Sequence, residues 1–173
     1  ITDLEPTPTF KWTSIQLSQF YGIEIDDFAH EMAILSLWLA EHQMNRVFEE
    51  MLFDYGKSKN ILPLKEAGQI THVNATRENW NKACPITTDD EFYIKANPPY
   101  FGARLQDSEQ KMDMGVVFTG KKGYNNMAYI SCWFYKVKDY IRAYTATCAL
   151  VTTNSICPGQ QVALIWPNIL SDE

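Results

Sequence analysis

The sequence predicts an α/β fold with a mostly parallel sheet and flanking helices. Three observations carry this reading. Aromatic and β-branched runs alternate with helical stretches: F-Y-G-I-E-I at 20–25, E-F-Y-I-K-A at 91–96 and C-A-L-V-T-T at 148–153. Each run ends in polar or turn-forming residues: the acidic cluster Glu24, Asp26 and Asp27, then Asn97-Pro98-Pro99-Tyr100, then Thr153-Asn154-Ser155. In parallel sheets ligands sit beyond the carboxyl ends of the strands, so all three clusters are expected on one rim. Finally, 173 residues with 46% hydrophobic and 21% charged side chains suffice for the core of a single domain, here read as a fragment spanning 1–173.

Residues 1–13 hold Pro6 and Pro8 without periodicity and read as an extended lead-in. After the first strand, a long helix is expected from Asp27 to Phe53, with Asp26 or Asp27 capping its first turn. Its first half is apolar over most of its circumference (Phe28, Met32, Ala33, Leu35, Leu37, Trp38, Leu39), which predicts cover on more than one side. Gly56–Lys65 is a polar turn, Gln69–Val73 a short strand, and Thr76–Asp90 a loop. The strand at 91–96 stops at two prolines, neither of which can donate to a ladder. Helices are expected over Ser108–Phe118 and Asn125–Ala143, separated by a basic turn at Gly120–Gly123. A last helix over Gly159–Trp166 is expected to stop at Pro167.

Several function classes are disfavoured. No apolar run reaches the roughly 18 residues needed to span a bilayer, and Ile1–Glu5 is neither basic nor apolar, unlike a secretory leader. The absence of an initiator Met suggests a piece of something longer. Cys84, Cys132, Cys148 and Cys157 form no C-x-x-C pair, and His30, His42 and His72 show no ligand spacing among them. Reduced, structural cysteines and no metal are expected. Net charge is −6, so the chain does not announce a phosphate-gripping face; if it acts on DNA, other parts make most backbone contacts.

Asn97-Pro98-Pro99-Tyr100 carries the most chemistry. The exocyclic NH2 of adenine is a poor nucleophile, because its lone pair is delocalised into the ring. An Asn oxygen and a backbone carbonyl can both accept from that NH2, and two acceptors off the ring plane favour the pyramidal nitrogen that attacks. The carbonyl of Pro98 is well fixed, since the residue before a proline is held extended. Tyr100 can stack on a base taken out of the duplex. No general base is needed before attack on a sulfonium methyl, so catalysis is mainly positioning and electrostatics. Glu24, at the end of an early strand, can accept from ribose hydroxyls or merely cap the following helix. Lys121-Lys122 reads as a solvated turn, and Trp133-Phe134-Tyr135 as core on a helix shared with Tyr129.

The stretch from Ser18 to Asn45, S-Q-F-Y-G-I-E-I-D-D-F-A-H-E-M-A-I-L-S-L-W-L-A-E-H-Q-M-N, resembles the region after the cofactor loop in a family of large bacterial adenine-specific DNA methyltransferases. These are type II restriction–modification polypeptides that fuse nuclease, methyltransferase and target-recognition parts. The likeness continues through N-P-P-Y-F-G-A-R-L-Q-D-S-E-Q-K-M-D-M, A-Y-I-S-C-W-F-Y-K and L-V-T-T-N-S-I-C-P-G-Q-Q-V-A-L-I-W-P, nearly the whole chain in order.

The resemblance implies a partial Rossmann-like methyltransferase fold using S-adenosylmethionine. Glu24 would bind the cofactor ribose, with Ile25 packing on its adenine. Asn74-Ala75 falls where the family reads G-N-A-L beside that adenine. Asn97, Pro98, Pro99 and Tyr100 would hold a flipped adenine of duplex DNA, engaged through the full-length bacterial, cytoplasmic protein. Val73 replaces the glycine of G-N-A-L, and Asn79 replaces an acidic residue before Trp80. The family's Gly-rich loop is expected upstream of residue 1, on a strand between those ending at Glu24 and Asn97. This chain alone is therefore expected to be inactive, with those two strands pairing directly, borrowing a strand from a second copy in a swapped dimer, or flanking a strand outside the chain. Related Asn-Pro-Pro-Tyr enzymes act on a protein glutamine or on RNA, and a non-catalytic DNA-interaction module is the remaining alternative.

Overall fold

The computed structural model describes residues 15–51, 68–87, 90–142 and 144–170. The extended lead-in and the polar turn at 56–65 expected from the sequence lie outside these. The chain divides into two compact units, residues 1–73 and 74–173.

In the first unit, β1 (Tyr21–Glu24) leads into α1 (Asp27–Met51) and returns as β2 (Gln69–His72). The strands are parallel, with Tyr21 opposite Gln69 and Glu24 opposite His72. Backbone bonds extend the ladder at both ends, from Gln69 N–H to the Phe20 carbonyl (2.7 Å) and from Val73 N–H to the Glu24 carbonyl (2.9 Å). Asp26 starts α1: its Oδ1 accepts from Ala29 N–H (2.8 Å), satisfying one of the orphan donors of the first turn. Two histidines tie the layers, His30 Nε2 to the Ile70 carbonyl (3.1 Å) and His72 Nε2 to the Ile25 carbonyl (2.9 Å). Among the described residues α1 packs on β1, β2 and the short 3-10 turn at Leu17–Gln19. Phe28, Met32, Leu35 and Leu39 stay exposed, and the second cover implied by their spread is not supplied there.

Gly68 enters β2 with φ +66°, where a Cβ would also run into Leu37 Cδ1. A left-handed non-glycine costs about 1–3 kcal/mol. Gly68→Ala in the full-length protein is therefore expected to speed hydrogen exchange at the amides of 69–72, and unchanged protection there would show that the turn tolerates a side chain.

The second unit holds α2 (Trp80–Ala83), β3 (Phe92–Ala96), α3 (Ser108–Val117), α4 (Ser131–Ile141), β4 (Ala146–Leu150) and α5 (Gln160–Leu170). β3 and β4 are parallel, Phe92 opposite Ala146 and Ala96 opposite Leu150. The core gathers Met114 from α3, Phe118 at its C-terminal cap, Met127–Ile130 from the turn before α4, Cys132 from α4, Ile156, and Ile165 from α5. Trp133, Phe134 and Tyr135 pack against it, as expected, but Tyr129 lies before their helix rather than on it. Burial pushes the Cys132 thiol up to about 12, with the nearby Asp113 charge adding to it. The four cysteines are free.

Three local expectations are corrected. The stretch 76–90 contains α2, begun by Asn79, whose side chain accepts from Asn81 N–H (3.0 Å). Asn125–Ala143 is not one helix: a short 3-10 turn at Tyr124–Asn126 is followed by extended Met127, and α4 starts only at Ser131. The amides and carbonyls there are used across the chain instead. Met127 O accepts from Gln106 Nε2 (2.9 Å), Ala128 N–H donates to Gln161 Oε1 (3.0 Å), and Tyr129 N–H to Phe101 O (2.7 Å). Lastly, α5 runs through Pro167 to Leu170. An interior proline costs about 3 kcal/mol, here offset by core contacts of Ile165, Trp166 and Ile169.

Candidate active site

β3 delivers Asn97-Pro98-Pro99-Tyr100 at its carboxyl end. The ladder holds that end closely, since Val151 N–H donates to the Ala96 carbonyl (2.9 Å). The parallel register therefore sets the Val151–Ser155 segment beside the motif on one rim of the β3–β4 sheet. The two prolines stop the ladder because neither can donate. Asn97 and Pro99 are exposed, Pro98 is buried, and Tyr100 is half-buried against the core. The Tyr100 hydroxyl donates to Asn97 Oδ1, so these two side chains share one site. In the same rim segment, the hydroxyls of Thr153 and Ser155 meet at 2.6 Å.

Glu24 and Ile25 belong to the first unit, at the carboxyl end of β1. Glu24 Oε1 accepts from the amides of Ile25 (2.8 Å) and Asp26 (2.9 Å), which fixes the carboxylate without a helix-capping role; Asp26 caps instead. Among the described residues Glu24 Oε2 has no hydrogen-bond partner, and Ile25 is 63% exposed. A fixed carboxylate oxygen beside an open apolar side chain fits the ribose and adenine of a nucleoside, which offer hydroxyl donors and a flat apolar face.

Asn74 and Ala75 open the second unit in a tight turn. The Asn74 side chain faces inward. Its Oδ1 accepts from the Thr76 amide (2.9 Å) and hydroxyl (2.6 Å), and its Nδ2 donates to Asp113 Oδ2 (3.1 Å). The Ala75 carbonyl accepts from Trp80 Nε1 (2.8 Å). The Asn74 amide therefore shapes this turn from within, and Ala75 is half-buried beside it.

Asp113 was not singled out in the sequence. It is 2% exposed, on α3, and accepts from three side chains: Asn74, Arg77 Nε (2.5 Å) and the Tyr129 hydroxyl (2.6 Å). Burial alone would push its carboxyl up; the hydrogen bonds from Tyr129, Arg77 and Asn74, with the Arg77 charge, outweigh that and hold it below the ordinary carboxylate value. Burial and the same carboxylate push the Tyr129 phenol up. The contribution of this cluster to stability is thus fully present above the unfolded value, roughly 3.9, and is lost as pH falls through the lower folded one. No pattern of period or spacing joins 74, 77, 113 and 129; the available signal was an acidic residue on the apolar side of α3.

The fold, with its parallel strands, long crossover helix and Asn-Pro-Pro-Tyr rim, is that of a partial Rossmann-like methyltransferase domain. Residues 3–173 match the family described as MmeI, DNA-methyltransferase domain, and the chain belongs to that family. It is 44% identical over 153 residues to DNA methyltransferase A of Bacillus subtilis (strain 168), covering 88% of this chain and 17% of that relative. It is also similar to the solved structure of the type IIL restriction–modification enzyme MmeI in complex with DNA, with a TM-score of 0.78 and 35% identity, covering 90% of this chain and 20% of MmeI. The chain thus spans about a fifth of the length of the proteins it matches.

Proposed function

We propose that the full-length protein transfers a methyl group from S-adenosylmethionine to N6 of a flipped adenine in duplex DNA, in the bacterial cytoplasm and as part of a restriction–modification enzyme. The observation that carries this reading is the exposed Asn97 beside buried Pro98 and half-buried Tyr100 at the carboxyl end of a parallel strand. When bound, S-adenosylmethionine supplies the electrophilic sulfonium methyl. Glu24 would hold its ribose and Ile25 its adenine, and the Asn74-Ala75 turn would contribute to adenine binding.

Asn97 Oδ1 and the Pro98 carbonyl accept the two hydrogens of the target NH2 and draw them off the ring plane. The nitrogen lone pair, freed from conjugation, forms the new N–C bond as the C–S bond breaks, and the surplus proton on nitrogen leaves to water afterwards. For this, Asn97 Oδ1 must exchange the Tyr100 hydroxyl for the amino group, while the Tyr100 ring stacks on the base. The preformed acceptors act by position, without a general base.

The test is methyl transfer by the full-length protein, with radiolabelled S-adenosylmethionine, onto duplex DNA, RNA and protein. Label recovered as N6-methyladenine from DNA is the expected result. Label on glutamine or on RNA would move the reading to those substrates, and none on any substrate would leave a non-catalytic module.

A further inference from the structure

Two loops of the second unit have roles in the proposed reaction, the turn at 74–78 on the cofactor side and the segment 97–101 on the base side. Both are fastened to the same buried group. The 74–78 turn is held from inside by Asp113, through Asn74 Nδ2 (3.1 Å) and Arg77 Nε (2.5 Å). It is held from its other side by Lys136 Nζ, which donates to the carbonyls of Thr76 (3.1 Å) and Glu78 (2.7 Å). The base-side segment is held by Tyr129, whose N–H donates to the Phe101 carbonyl (2.7 Å), one residue after Tyr100. The Tyr129 side chain in turn ends on Asp113 Oδ2 (2.6 Å). Asp113 Oδ2 therefore accepts from both sides, Asn74 on one and Tyr129 on the other. None of Asp113, Arg77, Tyr129 or Lys136 is needed for the chemistry as derived above, and yet Asp113 is a buried carboxylate, an expensive group to keep unless its bonds matter.

We propose that Asp113 is a positioning residue for methyl transfer: its two oxygens set the Asn74–Glu78 turn directly and the segment after Tyr100 through Tyr129, fixing the cofactor side and the base side relative to one another. This rests on the function proposed above. A misplacement of about 1 Å at a reacting centre can cost on the order of 100-fold in rate. The arms of the network then predict different kinetics. Arg77→Gln loosens the cofactor-side turn and raises KM for S-adenosylmethionine about tenfold, with kcat nearly unchanged. Tyr129→Phe keeps the backbone bond to Phe101 and the ring packing on Trp133 but cuts the tie to Asp113, and lowers kcat about tenfold with KM nearly unchanged. Asp113→Asn, which keeps shape and loses charge, shifts both.

The experiment measures kcat and KM for S-adenosylmethionine of the three variants in the full-length protein on duplex DNA, with hydrogen exchange at 74–78 and 97–101 read in parallel. The split between Arg77→Gln and Tyr129→Phe supports the proposal, as does faster exchange in both segments for Asp113→Asn with the core amides of 114–118 still protected. Wild-type rates in Asp113→Asn, or the same parameter changed in all three in proportion to lost protection across 114–118, would overturn it while leaving the methyltransferase reading intact. A wild-type protein that makes no methyladenine overturns both.

Discussion

Asn97→Ala in the full-length protein is expected to lower the rate of adenine methylation by a factor on the order of 10²–10³, the usual loss when one preorganised hydrogen-bonding group is removed from a reacting centre. In the proposed mechanism Asn97 contributes an acceptor to the target nitrogen and nothing to the cofactor, so KM for S-adenosylmethionine should stay within a few-fold of wild type. The neighbouring position separates ring from hydroxyl. Tyr100→Ala loses a stacking surface worth roughly 1–3 kcal/mol per base, whereas Tyr100→Phe keeps it and also removes the hydroxyl that occupies Asn97 Oδ1. Tyr100→Phe should therefore remain much closer to wild type than Tyr100→Ala. Steady-state assays of the three variants decide this, and equal losses at Tyr100→Ala and Tyr100→Phe would count against stacking.

Phe118→Ala is expected to be the most damaging core substitution in the second unit. Phe118 is 2% exposed, stacks on Tyr124 with ring centroids 5.9 Å apart, and meets Tyr135 at 5.1 Å. Truncating a buried Phe costs about 3–5 kcal/mol, through lost transfer free energy and the cavity left behind. Because Phe118 caps α3, which carries Asp113 and Met114, the loss should spread to the 74–78 turn. Hydrogen exchange of the full-length variant would show it as lost protection along 108–118 and 131–141; protection within about 1 kcal/mol of wild type would mean that the surrounding aromatics close the gap.

The strands and the motif were legible because their signals are local. F-Y-I-K-A alternates and, after Asn97, meets two prolines that cannot pair, so both β3 and its abrupt end follow from eight consecutive residues. Asp26 as the cap of α1 is equally local. What escaped was decided at a distance. The helical pattern over 125–143 was interrupted because Phe101, Gln106 and Gln161 take up the backbone groups of 127–129, and nothing in that segment announces those partners. Pro167 reads as a stop, and only the core beneath α5 shows why the helix continues. Asn74 stood out in the sequence only through the resemblance, and its inward role was not legible, since its partner lies 39 positions away on another element.

The two parallel pairings have a consequence for synthesis. Each joins residues about 50 positions apart, Tyr21 to Gln69 and Phe92 to Ala146, and neither strand can make its pair until the return strand has been made. Closing such long loops is slow compared with hairpin formation. At translation speeds of roughly 5–20 residues per second, β3 waits on the order of 3–11 s for β4. During that interval the apolar alternation of F-Y-I-K-A has no pairing partner in β4. Nascent chains stalled shortly after residue 96 should therefore be more readily captured by hydrophobic-segment chaperones than chains stalled well past residue 150, a vulnerability set by topology alone.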